Sequence, residues 1–158
     1  MSVKTDATLE LSETEQSYVE TIHALIEKRG FAAVIDIADG LSIKSPSVTN
    51  MLQKLDLKGF VKYTRYRNVT LTKKGVMLAK LLKKRHRSLK TFLEMLGVNE
   101  DTAEKDACNI EHIAHATTIK KLAKFVDFVQ KAPQSPKWLE HFKHFERTGK
   151  HPKSCADN

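Results

Sequence analysis

Between Phe60 and Leu71 the hydrophobic period changes from that of a helix to that of a strand, and at Thr72 it changes back. Few folds accept one short two-stranded insert in an otherwise helical chain. Ahead of the change, Tyr18, Ile22, Leu25 and Ile26 recur at helical spacing. Ser12 or Thr14 can cap this stretch, and Gly30 ends it. A short helix is expected over 34–40, and Ser42-Ile43-Lys44 is a tight turn. Ser45-Pro46 then opens a third helix, with Ser as N-cap and Pro at the first helical position. Its stripe is Val48, Met51, Leu52 and Leu55, and Gly59 stops it. Residues 60–63 and 69–71 read as paired strands around a basic tip at 64–68.

From Thr72 the pattern is helical to the end. A long helix is expected to about Leu96, with Gly75 inside it and Gly97 after it. Asn99 caps a helix to about Ala116, and another follows over 118–131. Pro133 and Pro136 break the chain before a last helix over 137–147. The expected class is therefore mainly α. An N-terminal winged helix-turn-helix spans 1–72, an all-α domain spans 73–147, and a polar tail spans 148–158. The long helix makes the join rigid rather than a flexible linker.

Three helices followed by a basic hairpin place the helix after the tight turn in a DNA major groove. With Val48, Met51, Leu52 and Leu55 turned inward, Ser47, Asn50 and Lys54 face outward. The helix start offers N–H groups to a phosphate. Ser45, Pro46, Ser47 and Thr49 stand at that start, and the Ser and Thr hydroxyls suit phosphates or base edges. Asn50 suits adenine and Lys54 suits phosphate. Arg65 and Arg67 in the tip reach toward backbone or minor groove. The balance of 27 Lys and Arg against 19 Asp and Glu gives a net charge of +8, which favours an anionic partner.

No apolar run approaches the ~18 residues of a membrane span. The first ten residues are polar and lack a signal peptide's apolar core. The expectation is a cytoplasmic chain with no membrane partner. Its two cysteines, Cys108 and Cys155, are too few for a disulfide framework.

Cys108, Glu111 and His112 stand at i, i+3 and i+4 of one predicted helix. At about 100° per residue they share an arc with Glu104 and His115, while Ile110, Ile113 and Ala114 fall opposite. Thiolate, carboxylate and imidazole so placed can converge on one ion. One helix cannot complete a coordination sphere, and His86 on the long helix is the natural further donor. His141, His144, His151 and Cys155 have spacing that also permits a zinc site. No phosphate loop, nucleophile elbow or zinc-protease helix is present, so no enzyme is expected.

These signals coincide in one resemblance. Tyr18-Val19-Glu20-Thr21-Ile22, Ser47-Val48-Thr49, Leu71-Thr72-Lys73-Lys74-Gly75, Arg85-His86 and Cys108-x-x-Glu111-His112 together resemble the diphtheria-toxin-repressor family of metal-dependent regulators. The length resembles its short, two-domain, manganese-regulator-like branch. The resemblance implies a metal-activated, sequence-specific transcriptional repressor of metal-homeostasis genes, a homodimer on a palindromic double-stranded DNA operator. It implies metal ligands at Cys108, Glu111, His112 and His86, with Glu20 from the first helix. Ser17 departs from the family's Asp or Met, and Glu13 or Glu20 stands within a turn of it as a substitute. Lys90 and Glu104 stand where longer members carry the Glu and His of an ancillary site, a departure that argues against that second site here. The thiolate favours Fe²⁺ or Zn²⁺ over Mn²⁺, and the remaining oxygen and nitrogen donors suit Fe²⁺ and Mn²⁺, so Fe²⁺ is the expected cofactor ahead of Mn²⁺ or Zn²⁺. Two other functions fit the fold: a winged-helix regulator not controlled by metal, and a winged-helix protein-binding module.

Overall fold

The computed structural model describes residues 11–152. Seven helices and one two-stranded sheet follow in the order α1 (Glu13–Arg29), α2 (Val34–Leu41), α3 (Ser45–Leu57), β1 (Val61–Lys62), β2 (Thr70–Leu71), α4 (Lys73–Met95), α5 (Glu100–Ile113), α6 (Ala116–Gln130) and α7 (Lys137–Thr148). They form two compact units, the first ending at Lys84 and the second beginning at Arg85.

In the first unit, Ser12 closes a capping box. Its hydroxyl accepts from the Glu15 N–H, and the Glu15 carboxylate accepts from the Ser12 N–H at 2.8 Å. Two of the orphan donors at the start of α1 are thereby satisfied. Gly30, in the left-handed region, ends α1. Ser42 ends α2 in the same region at φ 54° and so makes the sharp turn into α3. Ser45 is not the cap of α3, as the sequence suggested. Lys44 takes that position, Ser45 and Pro46 lie inside the first turn, and no side chain caps the helix. Val48, Leu52 and Leu55 pack fully buried against Val19, Ile22, Ile37 and Phe60.

The hairpin is shorter than its hydrophobic run. Only Val61↔Leu71 and Lys62↔Thr70 pair, antiparallel. The chain leaves the ladder at Tyr63 because Tyr66 turns through the left-handed region at φ 65°. A single bridge between Ala32 and Val69 ties the hairpin to the α1–α2 loop. The Thr72 hydroxyl donates to the Gly59 carbonyl at 2.7 Å and accepts from the Gly75 N–H at 3.1 Å, which starts α4 against the hairpin.

The second unit has a small core. Leu89, Ala107 and Ile119 are buried, with Ile110, Ala114 and Leu122 packed on them. Asn99 caps α5 by accepting from the Thr102 N–H. The α5 helix stops at Ile113, because the backbone of Ala114 is extended. This takes His115 out of the predicted arc. His115 is instead the N-cap of α6, and its Nδ1 accepts from the Thr117 N–H.

Candidate metal centre and nucleic-acid interface

At the start of α3, Ser45, Pro46, Ser47 and Asn50 are exposed. Thr49 is half-buried, and its hydroxyl donates to the Ser45 carbonyl at 3.3 Å. No side chain caps α3, so the Ser45 N–H at its start meets solvent or an anion, while Pro46 has no N–H and the Ser47 N–H donates to the Lys44 carbonyl at 3.0 Å. Arg65, Tyr66 and Arg67 are exposed at the hairpin tip. A groove joins the two elements, lined by Thr49, Tyr63, Arg65, Arg67 and Asn68 among others. The structure thus gathers Thr49, Arg65 and Arg67 on one concave surface, with Ser45, Ser47 and Asn50 on the exposed start of the same helix.

Lys54 is placed differently from its neighbours. Its ammonium lies 3.1 Å from Glu15 Oε1, and Lys58 donates to the same carboxylate at 2.8 Å. Two residues escaped the sequence reading. Tyr66 is 91 % exposed, and the Arg65 guanidinium lies 5.1 Å from its ring centre. An aromatic between two arginines at a hairpin tip was the available signal. Glu15 was visible as the fourth residue of the capping box, but its lysine partners were not.

In the second unit, α5 presents Cys108, Glu111 and His112, whose ligand atoms all lie within 4.8 Å of one another. Donors bound tetrahedrally to one ion at ~2.0–2.3 Å stand ~3.3–3.8 Å apart, so side-chain rotations of about 1 Å would close the trio on an ion. Glu111 is buried at 2 % exposure, while Cys108 is exposed. From α4, His86 Nδ1 comes to 3.4 Å from Glu111 Oε1, and His112 Nε2 lies 3.6 Å from the same oxygen. Thiolate, carboxylate and two imidazoles form a donor set suited to a divalent transition ion. These residues fit a metal.

Glu20 belongs to the first unit, on α1. Burial pushes its carboxyl up to about 7. Ser17 directs its hydroxyl to the Glu13 carbonyl, one turn back on the same helix. Near the end, His151 stacks on Phe145 at 4.8 Å. His141, His144 and His151 form no ligand cluster among the described residues, and Cys155 lies outside them.

Residues 10–69 match the profile of the iron dependent repressor N-terminal DNA binding domain, and residues 72–140 match that of the iron dependent repressor metal binding and dimerisation domain. The chain belongs to the iron-dependent repressor family. Within that family it is 41% identical over 128 residues to the HTH-type transcriptional regulator MntR of Lysinibacillus sphaericus, covering 81% of this chain and 92% of the relative. The solved structure of the hypothetical protein SSo2273 from Sulfolobus solfataricus superposes with a TM-score of 0.62 at 28% identity, over 80% of this chain and 97% of that one. A manganese-dependent transcriptional repressor in complex with manganese superposes at 0.66 and 26% identity, over 75% of this chain and 55% of that one. The mainly α, two-domain architecture is therefore that of a metal-dependent transcriptional repressor: a DNA-binding domain followed by a metal-binding and dimerisation domain. No helix among the described residues is long and apolar enough to cross a membrane.

Proposed function

We propose that the chain is a homodimeric repressor of metal-homeostasis genes, working in the cytoplasm on a palindromic operator. Divalent metal is held by His86, Cys108, Glu111 and His112. The observation that carries this reading is the convergence of Cys108, Glu111 and His112 within 4.8 Å, with His86 beside Glu111. Glu20, in the first unit, stands as a ligand on the family resemblance alone. Ser45, Pro46, Ser47, Thr49, Asn50, Lys54, Arg65 and Arg67 form the DNA-facing surface. An isologous dimer presents two such surfaces, and this matches a two-fold operator. The metal-bound form is the one with higher operator affinity, so the ion acts by shifting a population.

Two observations point to different ions. The MntR relative and the manganese-dependent repressor named above lean to Mn²⁺. The exposed Sγ of Cys108 leans to Fe²⁺, a softer partner for thiolate. One titration reads both points. Operator fragments selected from genomic DNA are bound by the purified protein with Fe²⁺, Mn²⁺ or Zn²⁺ and followed by fluorescence anisotropy. The expected result is at least ~10-fold tighter binding with the cognate ion, lost in His112→Ala. Affinity indifferent to all three ions would leave a metal-independent winged-helix regulator. Recovery of no operator at all would leave a protein-binding module.

A further inference from the structure

His86 is flanked on both ring nitrogens. Its Nε2 lies 3.0 Å from Glu104 Oε1 in hydrogen-bond geometry, and its Nδ1 lies 3.4 Å from Glu111 Oε1. A neutral imidazole carries one proton, and a metal takes the nitrogen without it. The nearer, better-formed contact is the one to Glu104. That carboxylate is also fixed on its other side, with Oε2 3.0 Å from Lys90 Nζ. Lys90 in turn lies 3.1 Å from Glu100 Oε1. The ammonium of α4 thus clamps the first half of α5, and Glu104 spans from that clamp to the imidazole. Both of its oxygens are used, one on each neighbour.

We infer that Glu104, held by Lys90, is a positioning residue for the metal centre: it keeps the proton of His86 on Nε2 and leaves Nδ1 free to bind the ion beside Glu111. Metal-ligating histidines commonly donate their second N–H to a carboxylate, which fixes ring orientation and tautomer and raises ligand basicity. Here the carboxylate is one helical turn ahead of Cys108 on α5, so the helix that supplies three ligands also orients the fourth. Lys90 keeps Glu104 from serving as a ligand itself. A carboxylate paired with an ammonium at 3.0 Å is already neutralised and directed away from the ion. The cluster therefore draws on Glu111 alone as its carboxylate from α5, with Glu104 beside it but outside the coordination sphere.

This inference rests on His86 being a ligand, and the two claims separate experimentally. The tautomer is read in the metal-free protein by long-range ¹H–¹⁵N NMR of the His86 ring at about pH 8, where an ordinary imidazole is neutral. Metal affinity is read by Co²⁺ titration against a chelator, following the visible bands of the bound ion. In the wild type the Nε2-protonated form is expected. Glu104→Ala should lose that preference and weaken Co²⁺ binding by roughly 10–100-fold. Glu104→Gln should recover most of the affinity, because its carbonyl oxygen still accepts from Nε2. Lys90→Met should reduce the Nε2-protonated preference of the ring, because Glu104 is then free to turn toward the metal position instead of holding the imidazole. Glu104 is exposed, so its variants keep the fold, and a thermal melt checks this. An Nδ1-protonated wild-type ring, or Glu104→Ala with tautomer and affinity unchanged, would overturn the role of Glu104. An unchanged tautomer population in Lys90→Met would overturn the role of Lys90. Undiminished Co²⁺ binding in His86→Ala would remove His86 from the ligand set, while the ring NMR still reports on the Glu104 contact by itself.

Discussion

Glu15 is a nearly fully buried carboxylate at the foot of the DNA-binding unit. Burial alone raises its pKa. The hydrogen bond from Lys58 opposes this, followed by those from the Ser12 N–H and Lys54, and together they bring it down from 4.5 to about 2. A carboxyl whose folded value lies below its unfolded one stabilises the fold above the unfolded value. That stabilisation is lost as pH falls from about 4.5 toward 2. Glu15→Ala should cost ~2–3 kcal/mol at neutral pH, since it removes the capping box and leaves Lys58 without its carboxylate. It should also flatten the acid limb of the stability curve over that window. Urea unfolding at pH 7 and pH 3 measures both. Cys108 makes a second residue-scale prediction. Cys108→Ser should weaken Zn²⁺ and Fe²⁺ by ~10-fold or more and change Mn²⁺ less, because a hydroxyl replaces the soft donor; chelator competition with the three ions checks it. Much of this scale was readable from the sequence. The Ser12-x-x-Glu15 box and the Cys108, Glu111, His112 spacing are local patterns that a helix converts directly into geometry. The pairing of Glu15 with Lys58 spans 43 positions and depends on how α1 and α3 pack, which no local pattern encodes. The same holds for His86 and Glu104, which are brought together by two helices.

At the scale of elements, Gly75 shows where propensity and packing disagree. It stands in the first turn of α4, where Ala would favour the helix by about 1 kcal/mol. A Cβ at Gly75, however, would meet the Phe60 carbonyl oxygen in severe overlap and press on Leu71. That oxygen is backbone, fixed by its hydrogen bond from the Thr72 N–H, and cannot step aside. Gly75→Ala should therefore destabilise by roughly 2–4 kcal/mol despite its better propensity, seen as a lowered midpoint in a thermal melt. The sequence placed a glycine inside a helix without saying why, because the reason lies in the hairpin that α4 starts against. The hairpin itself was readable as a change of period, but not in its length. Hydrophobicity marks residues 60–63 and 69–71 as strands, whereas pairing ends at Lys62↔Thr70 and the chain reverses through Tyr66 in the left-handed region. Similarly, the long Cys-to-His run suggested one uninterrupted helix, and the extended backbone at Ala114 ends it two residues before His115.

For the whole molecule, the core of the second unit sets the expectation. Leu89, Ala103, Ala107, Ile119, Val126 and Val129 are small and few as buried apolar side chains for four helical segments, and only Leu89, Ala107 and Ile119 form a common cluster. Meanwhile Ile113 at 70 % and Phe128 at 68 % leave large apolar groups in water. Exposed apolar side chains on a domain of dimerising type are what an isologous interface covers, each protomer burying the other's. Folding and association are then linked, so stability should depend on protein concentration. Phe128→Asp places a charge that dimerisation would have to desolvate without a partner. It should convert the protein to a monomer by light scattering and lower its melting midpoint. It should also weaken operator binding at least ~10-fold, because two half-sites are then engaged independently rather than through one linked pair. The metal centre gives the control. Phe128→Asp leaves Cys108, Glu111, His112 and His86 untouched, so Co²⁺ affinity per protomer should persist where DNA affinity falls. A variant that stays dimeric, or one that loses metal and DNA together, would show that the exposed face of α6 is not the surface through which two copies meet.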